Sequence, residues 1–259
     1  MTAVSPDEPA TERSGSSSER SLRLLALVAG EGRVMSLAEL AAGLDLPKAT
    51  VHRMCTQLLE AGFLARDLDQ RSYSVGMALR QLAFDVLNHG VERGARHAVL
   101  DGLVREVGET CNFTTLDGAA VLYLDRVEAH WPLRLTLEVG SHVPLHCTAS
   151  GKLFLAYLPL ARRNKLLGAL DLVALTRNSV TDARALQAEC DAIAARGYST
   201  DREEFMAGLV AVAVPVRDAS GAVRAAIAVH APTARMSLDD ALSRLPALQA
   251  AAARMAQYL

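Results

Sequence analysis

The chain has 259 residues, enough for two domains, with 51% hydrophobic residues, only 4% aromatic ones and a formal charge of −2. Its longest apolar stretch, 205–216, is interrupted by Gly208 and Pro215 and falls short of the ~18 residues a membrane-spanning helix needs, so a membrane protein is excluded. Cys55, Cys111, Cys147 and Cys190 are scattered without a CxxC pair and the N-terminus is polar and acidic, which points to free thiols in a reducing cytoplasm rather than a secreted disulfide scaffold.

Residues 1–18 are rich in Ser, Pro and acidic groups, cannot bury a core and read as a disordered tail. Ser16 with Glu19 forms a capping box, after which Leu22, Leu25 and Val28 carry a first helix to Gly30. Ser36 with Glu39 is a second box; the helix it opens bears Leu37, Leu40 and Ala41 on one face and is expected to stop at Gly43. Pro47 restarts the chain as a helix, since its fixed φ and missing N–H cost nothing at the first helical position. Val51, Cys55, Leu58 and Gly62 mark the inward face of that helix, flanked by Met54 and Leu59. Lys48, Ala49, His52, Arg53, Thr56 and Gln57 are left outside.

A buried helix followed, across a short turn, by one with a polar and partly cationic outer face is the helix-turn-helix arrangement, whose second helix enters the DNA major groove. Behind it, residues 63–75 read as a hairpin with a polar turn at 68–70, which makes a wing. The candidate DNA contacts are Ser36 at the start of the first helix of the pair; Lys48, Ala49, Thr50, His52 and Arg53 on the second; and Arg66 and Arg71 on the wing. Arg53 could read a guanine with two hydrogen bonds, and Lys48 suits a phosphate. For His52 a plain surface histidine is as good a reading as a base contact, and Thr50 could cap or pack instead. Charge argues mildly against DNA, because residues 1–75 hold eight Lys/Arg against ten Asp/Glu. Phosphate contacts are local, however, so placement outweighs the total.

Residues 77–90 read as a linker helix, with Met77, Leu79, Leu82, Ala83 and Val86 as its apolar positions. Beyond it, 91–259 alternates: a helix at 94–107, strands at 111–116, 120–127 and 133–138, then helices at 149–158, 160–168 and 183–196. Strands at 209–216 and 223–230 flank the turn 218–221, and an amphipathic helix runs from about Leu238. Such an order predicts an antiparallel-centred α+β domain rather than a doubly wound one.

Within 146–152 (HCTASGK) three catalytic readings fail. A P-loop would need Gly at His146 and a hydroxyl at Leu153. Ser150 and Lys152 lie on different helix faces, and Cys147 has no adjacent base. What remains is a tight helix start, Thr148 capping and Gly151 allowing close packing, with the N–H groups of Ala149 and Ser150 free to bind an anion. Glu203 and Glu204 read as solvated charges with Asp201 alone turned inward, and Asn112 as closing a turn after the core residue Cys111. A metal site of His146, Cys147, His230 and Asp201 lacks ligand spacing, so no metal and no cofactor are expected.

The LPKATVHR helix, YSVG after the wing, GETCN at 108–112, VLYLDRVE at 121–128, VPLHCTASGK at 143–152, GYSTDREEFMAG at 197–208 and PVRDASGAV at 215–223 stand in an order that closely resembles the IclR family of bacterial transcriptional regulators. The resemblance runs from about Glu19 to His230. It implies a winged helix-turn-helix domain over 19–76, joined by the linker helix to a GAF/profilin-like α/β effector-binding domain. It also implies a homodimer or homotetramer on double-stranded promoter DNA. The positions matching the family's pocket for a small organic acid are Leu135, Val143, Ala149, Ser150, Asp201, Ala211, Ala228 and His230. Ala211, Ala228 and His230 depart from the small polar residues of some carboxylate-sensing members, which suggests a roomier, more apolar pocket and an aromatic or longer acid. Two rivals remain: a small hydrolase or transferase with an N-terminal association domain, and a DNA-binding protein without ligand control. Against the first, no titratable pair has a spacing that specifies a reaction.

Overall fold

The computed structural model describes residues 16–67, 70–89, 91–132 and 137–259. The chain divides into two compact units, 1–85 and 86–259. Most of the tail, the wing tip at 68–69 and most of the strand expected at 133–138, with Leu135, lie outside the described residues.

In the first unit, α1 (Ser17–Glu31) is capped by the Ser16 hydroxyl, which accepts from the Glu19 N–H. Leu24 and Val28 face the core, whereas Leu22 is exposed, one register off the expected stripe. Strand β1 (Met35–Ser36) leads into α2 (Leu37–Leu44), whose capping box is complete: Glu39 accepts from the Ser36 N–H and Ser36 accepts from the Glu39 N–H. The Ser36 N–H, with help from the Arg33 guanidinium, holds the Glu39 carboxyl down at about 2. The helix does not stop at Gly43. It runs to Leu44 and the left-handed residue is Asp45, a type whose short polar side chain tolerates that conformation. Then α3 (Lys48–Glu60) starts behind Pro47 and buries Val51, Met54 and Cys55. Strands β2 (Leu64–Arg66) and β3 (Ser72–Val75) form the hairpin. β1 pairs with β3, giving a three-stranded sheet in the order β1-β3-β2; this third strand was not legible in the sequence. Leu24, Leu40, Val51, Cys55, Leu64 and Tyr73 close one core beneath these elements.

Helix α4 (Met77–His89) spans the boundary between the units, which falls after Asp85. The second unit opens with α5 (Val91–Val107), β4 (Thr110–Asp117), β5 (Ala120–Val127) and β6 (His142–Pro144). It continues with α6 (Ala149–Tyr157), α7 (Leu160–Ala169), α8 (Ala183–Arg196) and β7 (Ser199–Arg202). Strands β8 (Leu209–Arg217) and β9 (Val223–Pro232) follow, and the terminal helix breaks into α9 (Leu238–Ser243) and α10 (Leu245–Met255) where Pro246 opens a new first turn. The six strands are all antiparallel, in the order β6-β5-β4-β9-β8-β7. Helix α6 packs on β8 and β9 and against α8, while α10 packs on β8 and β9 and against α5.

The sheet face under α6 carries Ala211, Ala213, Ala226 and Ala228, all buried. Short side chains there let a wholly buried helix come close. Gly151 completes the approach: a Cβ there would lie 2.4 Å from the Leu145 carbonyl oxygen and 2.5 Å from its Cα. No described helix is long and apolar enough to cross a membrane.

Candidate functional site

Two features of the structure have the chemistry of sites, one in each unit. On α3, Lys48, Ala49, His52, Arg53, Thr56 and Gln57 form an exposed polar face opposite the buried Val51–Cys55 stripe, and Thr50 is half-buried. The Thr56 hydroxyl donates to the His52 carbonyl, one turn back. Ser36 is engaged with Glu39, so its side chain holds the start of α2. On the wing, Arg66 donates to the Gln70 carbonyl at 2.6 Å and stacks over the Tyr73 ring, which stiffens the hairpin; Arg71 is exposed.

In the second unit, a cleft opens between the sheet and the N-terminus of α6. Val143, Ala149, Ser150, Asp201, Ala211, Ala228 and His230, seven of the eight expected positions, line it together. The remaining lining comes from Asn112, Tyr123, Leu137, Thr148, Phe205 and Leu209, none of which was singled out for a pocket. The cleft takes in about 390 Å³ between atoms, but only about 30 Å³ admits the centre of a water molecule. That is room for about two waters. The roomier pocket expected from Ala211 and Ala228 is therefore not found, because α6 settles onto those alanines; the lining is mainly apolar, with Leu137, Val143, Phe205 and Leu209 around it, and Asn112, Tyr123, Asp201 and His230 set polar groups into it.

The register explains the convergence. Asp201 pairs with Ala211, and Ala211 with His230, so all three project from one row on the same face across β7, β8 and β9. Two residues along, Ala213, Ala228, Asn112 and Arg126 form the next row on that face. Asn112 is thus a mid-strand residue and not a turn closer. Its Nδ2 lies 2.9 Å from His230 Nδ1, and its Oδ1 accepts from Arg126 Nη1 at 3.0 Å.

Burial governs the ionisable groups. His230 is buried and pushed down to about 3, by desolvation first and the Arg126 charge second; its Nε2 has no hydrogen-bond partner among the described residues. Asp201 is pushed up to about 7, chiefly by desolvation, with the Glu204 charge adding to it and the backbone N–H groups of Glu204 and Phe205 opposing. Both N–H groups bond Asp201 Oδ1. Burial also pushes the Tyr123 hydroxyl up to about 12. Glu204 is not solvated as expected: it is buried, and its carboxylate takes the ammonium of the equally buried Lys152.

At the start of α6, Thr148 caps the Gly151 N–H at 3.2 Å. The N–H groups of Ala149 and Ser150 have no partner among the described residues. Cys147 is buried with its thiol pushed up to about 12, so no thiolate nucleophile is available, and His146 turns to the Val173 carbonyl. Among the described residues no group of three or more His, Cys, Asp or Glu could hold a metal ion.

Residues 17–68 match the IclR helix-turn-helix domain, and residues 86–257 match the family described as bacterial transcriptional regulator IclR C-terminal. The chain belongs to the IclR family. It is an IclR-type transcriptional regulator with a DNA-binding helix-turn-helix domain and an IclR-type effector domain. It is 43% identical over 245 residues, covering 95% of this chain and 97% of the other, to a Cupriavidus necator protein described as the probable transcriptional regulator SauR. Among solved structures, it resembles a transcriptional regulator of Rhodococcus sp. RHA1 with a TM-score of 0.65 and 29% identity, over 93% of this chain and 96% of that one. It also shares the fold of an IclR homologue from Microbacterium hydrocarbonoxydans, solved with 4-hydroxybenzoate, with a TM-score of 0.59 and 24% identity over 94% and 99% of the two chains.

Proposed function

We propose that the chain is a cytoplasmic, non-enzymatic regulator whose binding to promoter DNA is controlled by a compact organic acid held between α6 and the sheet. The reading assigns 19–76 to DNA, 77–90 to the linker, 91–259 to the effector, and 1–18 to a tail outside both. On DNA, α3 lies in the major groove with Arg53 on a base edge and Lys48 on phosphate. Ala49, Thr50 and His52 face the bases, while Ser36, Arg66 and Arg71 lie toward the backbone. Two copies of α3, in a homodimer or a dimer of dimers, read two half-sites. Met77, Leu82 and Val86, exposed on α4, supply an apolar stripe suited to association.

The observation that carries the effector reading is a narrow cleft with donors left unpaired among the described residues: His230 Nε2 and the Ala149 and Ser150 N–H groups. Buried donors without partners are costly, and an anion at a helix N-terminus satisfies them. The narrowness of the cleft favours a short acid; taken alone it would suit a regulator without ligand. One mobility-shift series tests both: the chain's own upstream DNA, wild type against Arg53→Ala, with and without glycolate, pyruvate or 4-hydroxybenzoate. Specific binding lost in Arg53→Ala and altered by an acid supports the reading. Specific binding indifferent to every acid leaves a ligand-independent regulator.

A further inference from the structure

The cleft has a built-in polarity, and it originates outside the cleft. Arginine can only donate hydrogen bonds, so the group facing Arg126 Nη1 must be the Asn112 carbonyl oxygen. That places Asn112 Nδ2, a donor, against His230 Nδ1, which must then accept. A buried neutral imidazole that accepts at Nδ1 carries its proton on Nε2, and Nε2 is the ring atom with no partner among the described residues. The charge of Arg126 opposes a second proton on the ring. His230 therefore presents a fixed N–H donor.

A carboxyl sits two strands away. Asp201 shares the cross-strand row of His230, with only the Ala211 methyl between them, about 10 Å apart at Cα. Its Oδ1 is saturated by two backbone N–H groups, and its Oδ2 makes no hydrogen bond among the described residues. A fixed donor and an unpaired carboxyl oxygen thus flank a gap floored by one methyl and roofed by the start of α6.

Resting on the effector reading above, we infer that His230 and Asp201 are the specificity-determining pair for a short hydroxy acid, and that Arg126 and Asn112 are positioning residues that fix the direction in which His230 reads it. The acid oxygens take the His230 Nε2–H and the N–H groups of Ala149 and Ser150; the hydroxyl pairs with Asp201 Oδ2, donating to it when the carboxyl is ionised and accepting from it when the carboxyl holds its proton. An acid of the same size without the hydroxyl leaves a buried carboxyl unpaired and binds worse. Asn112→Asp is the discriminating variant. It keeps the shape and the Arg126 contact but turns the atom facing His230 into an acceptor, which draws the ring proton to Nδ1 and removes the donor from the cleft. His230→Gln keeps an N–H donor near the Nε2 position.

The test is nitrogen-15 NMR of the full-length protein labelled at histidine, with glycolate and acetate as a matched pair of probes. In wild type, His230 is expected as the Nε2–H tautomer throughout pH 5.5–8, and glycolate shifts its Nε2 resonance at concentrations about tenfold or more below acetate. In Asn112→Asp the proton moves to Nδ1 and glycolate affinity falls by about 30-fold. In His230→Gln it stays within about tenfold of wild type by calorimetry. A wild-type Nδ1–H tautomer overturns the inference, even where Asn112→Asp does not fold. So does equal binding of the two probes, or an acid that binds and alters the DNA complex without moving the His230 resonance; in that last case the effector reading stands. If no acid binds wild type by calorimetry or changes its DNA complex, both readings fall.

Discussion

Replacing Asp201 with Asn removes an ionisation from the cleft while leaving Oδ1 able to accept the two backbone N–H groups. Asp201 is 2% exposed, and its pKa rises from 3.8 to about 7 on folding. Between those values the folded state holds a proton that the unfolded chain has released. This contribution to stability is complete below pH 3.8 and is lost as pH rises through 7. At 1.36 kcal/mol per unit, a shift of about three units is worth about 4 kcal/mol. His230 has the opposite sign. Its folded pKa lies near 3, so its contribution is present above the ordinary histidine range near 6.5 and is lost as pH falls toward 3. In wild type the two slopes oppose each other over most of pH 4–6.5, and total stability hides both.

Subtracting wild type from Asp201→Asn isolates the carboxyl. The chain has a single tryptophan, Trp131, whose indole donates to the Gly108 carbonyl and lies under the Arg235 guanidinium, so its fluorescence reports unfolding of the second unit. Urea unfolding followed at Trp131 at pH 4.5, 6.0 and 7.5 should show the variant gaining about 3 kcal/mol on wild type across the series. A difference that stays constant with pH, or one in which wild type gains as pH rises, would refute a desolvated, proton-holding Asp201.

Arg53→Ala should weaken operator binding by about 1–3 kcal/mol while leaving random DNA nearly unaffected. Lys48→Ala should weaken both alike and reduce the salt slope by about one, measured by fluorescence anisotropy over a salt series. Gly151→Ala forces a methyl into the Leu145 backbone, where little can give way, and should lower second-unit stability by several kcal/mol on the order of severe overpacking. Gly102→Ala, in α5 with nothing within 4 Å of the added carbon, should instead be neutral or raise stability by up to about 1 kcal/mol. Lys152→Met strands the Glu204 carboxylate and should cost about 3–5 kcal/mol, and adding Glu204→Leu should recover much of that loss.

How much could be read in advance follows the range of the interactions involved. Helices α2 and α3 were legible because capping boxes, a helix-opening proline and apolar periodicity act within four residues. Errors there were local too: Gly43 stayed helical because Asp45 could take the left-handed turn. The seven cleft positions came from family resemblance, not from periodicity. What neither supplied was register. Asn112 and His230 are 118 residues apart, and only the pairing of β4 with β9 brings them together. The Lys152–Glu204 pair is likewise a contact between α6 and the end of β7, so Glu204 looked like one more solvated acid in a charged run. A buried polar residue inside an apolar strand, as Asn112 is between Cys111 and Phe113, was the signal available in the chain.

The size of the cleft sets how strongly an effector can act. A short hydroxy acid has about five non-hydrogen atoms, and the best small ligands reach about 1.5 kcal/mol for each, so binding is limited to about 7 kcal/mol, or micromolar affinity. Regulation draws only on the difference in affinity between DNA-competent and incompetent arrangements, and about 1.4 kcal/mol of difference changes their ratio tenfold. One charge-assisted hydrogen bond made in a single arrangement suffices for that. His230 and the α6 N-terminus lie on different elements, so a small sliding of α6 over its alanine floor would make or break the bridge between them while leaving Asp201 in place. Control by so small a molecule therefore depends on a rigid polar frame, which Arg126 and Asn112 supply beneath the start of α6.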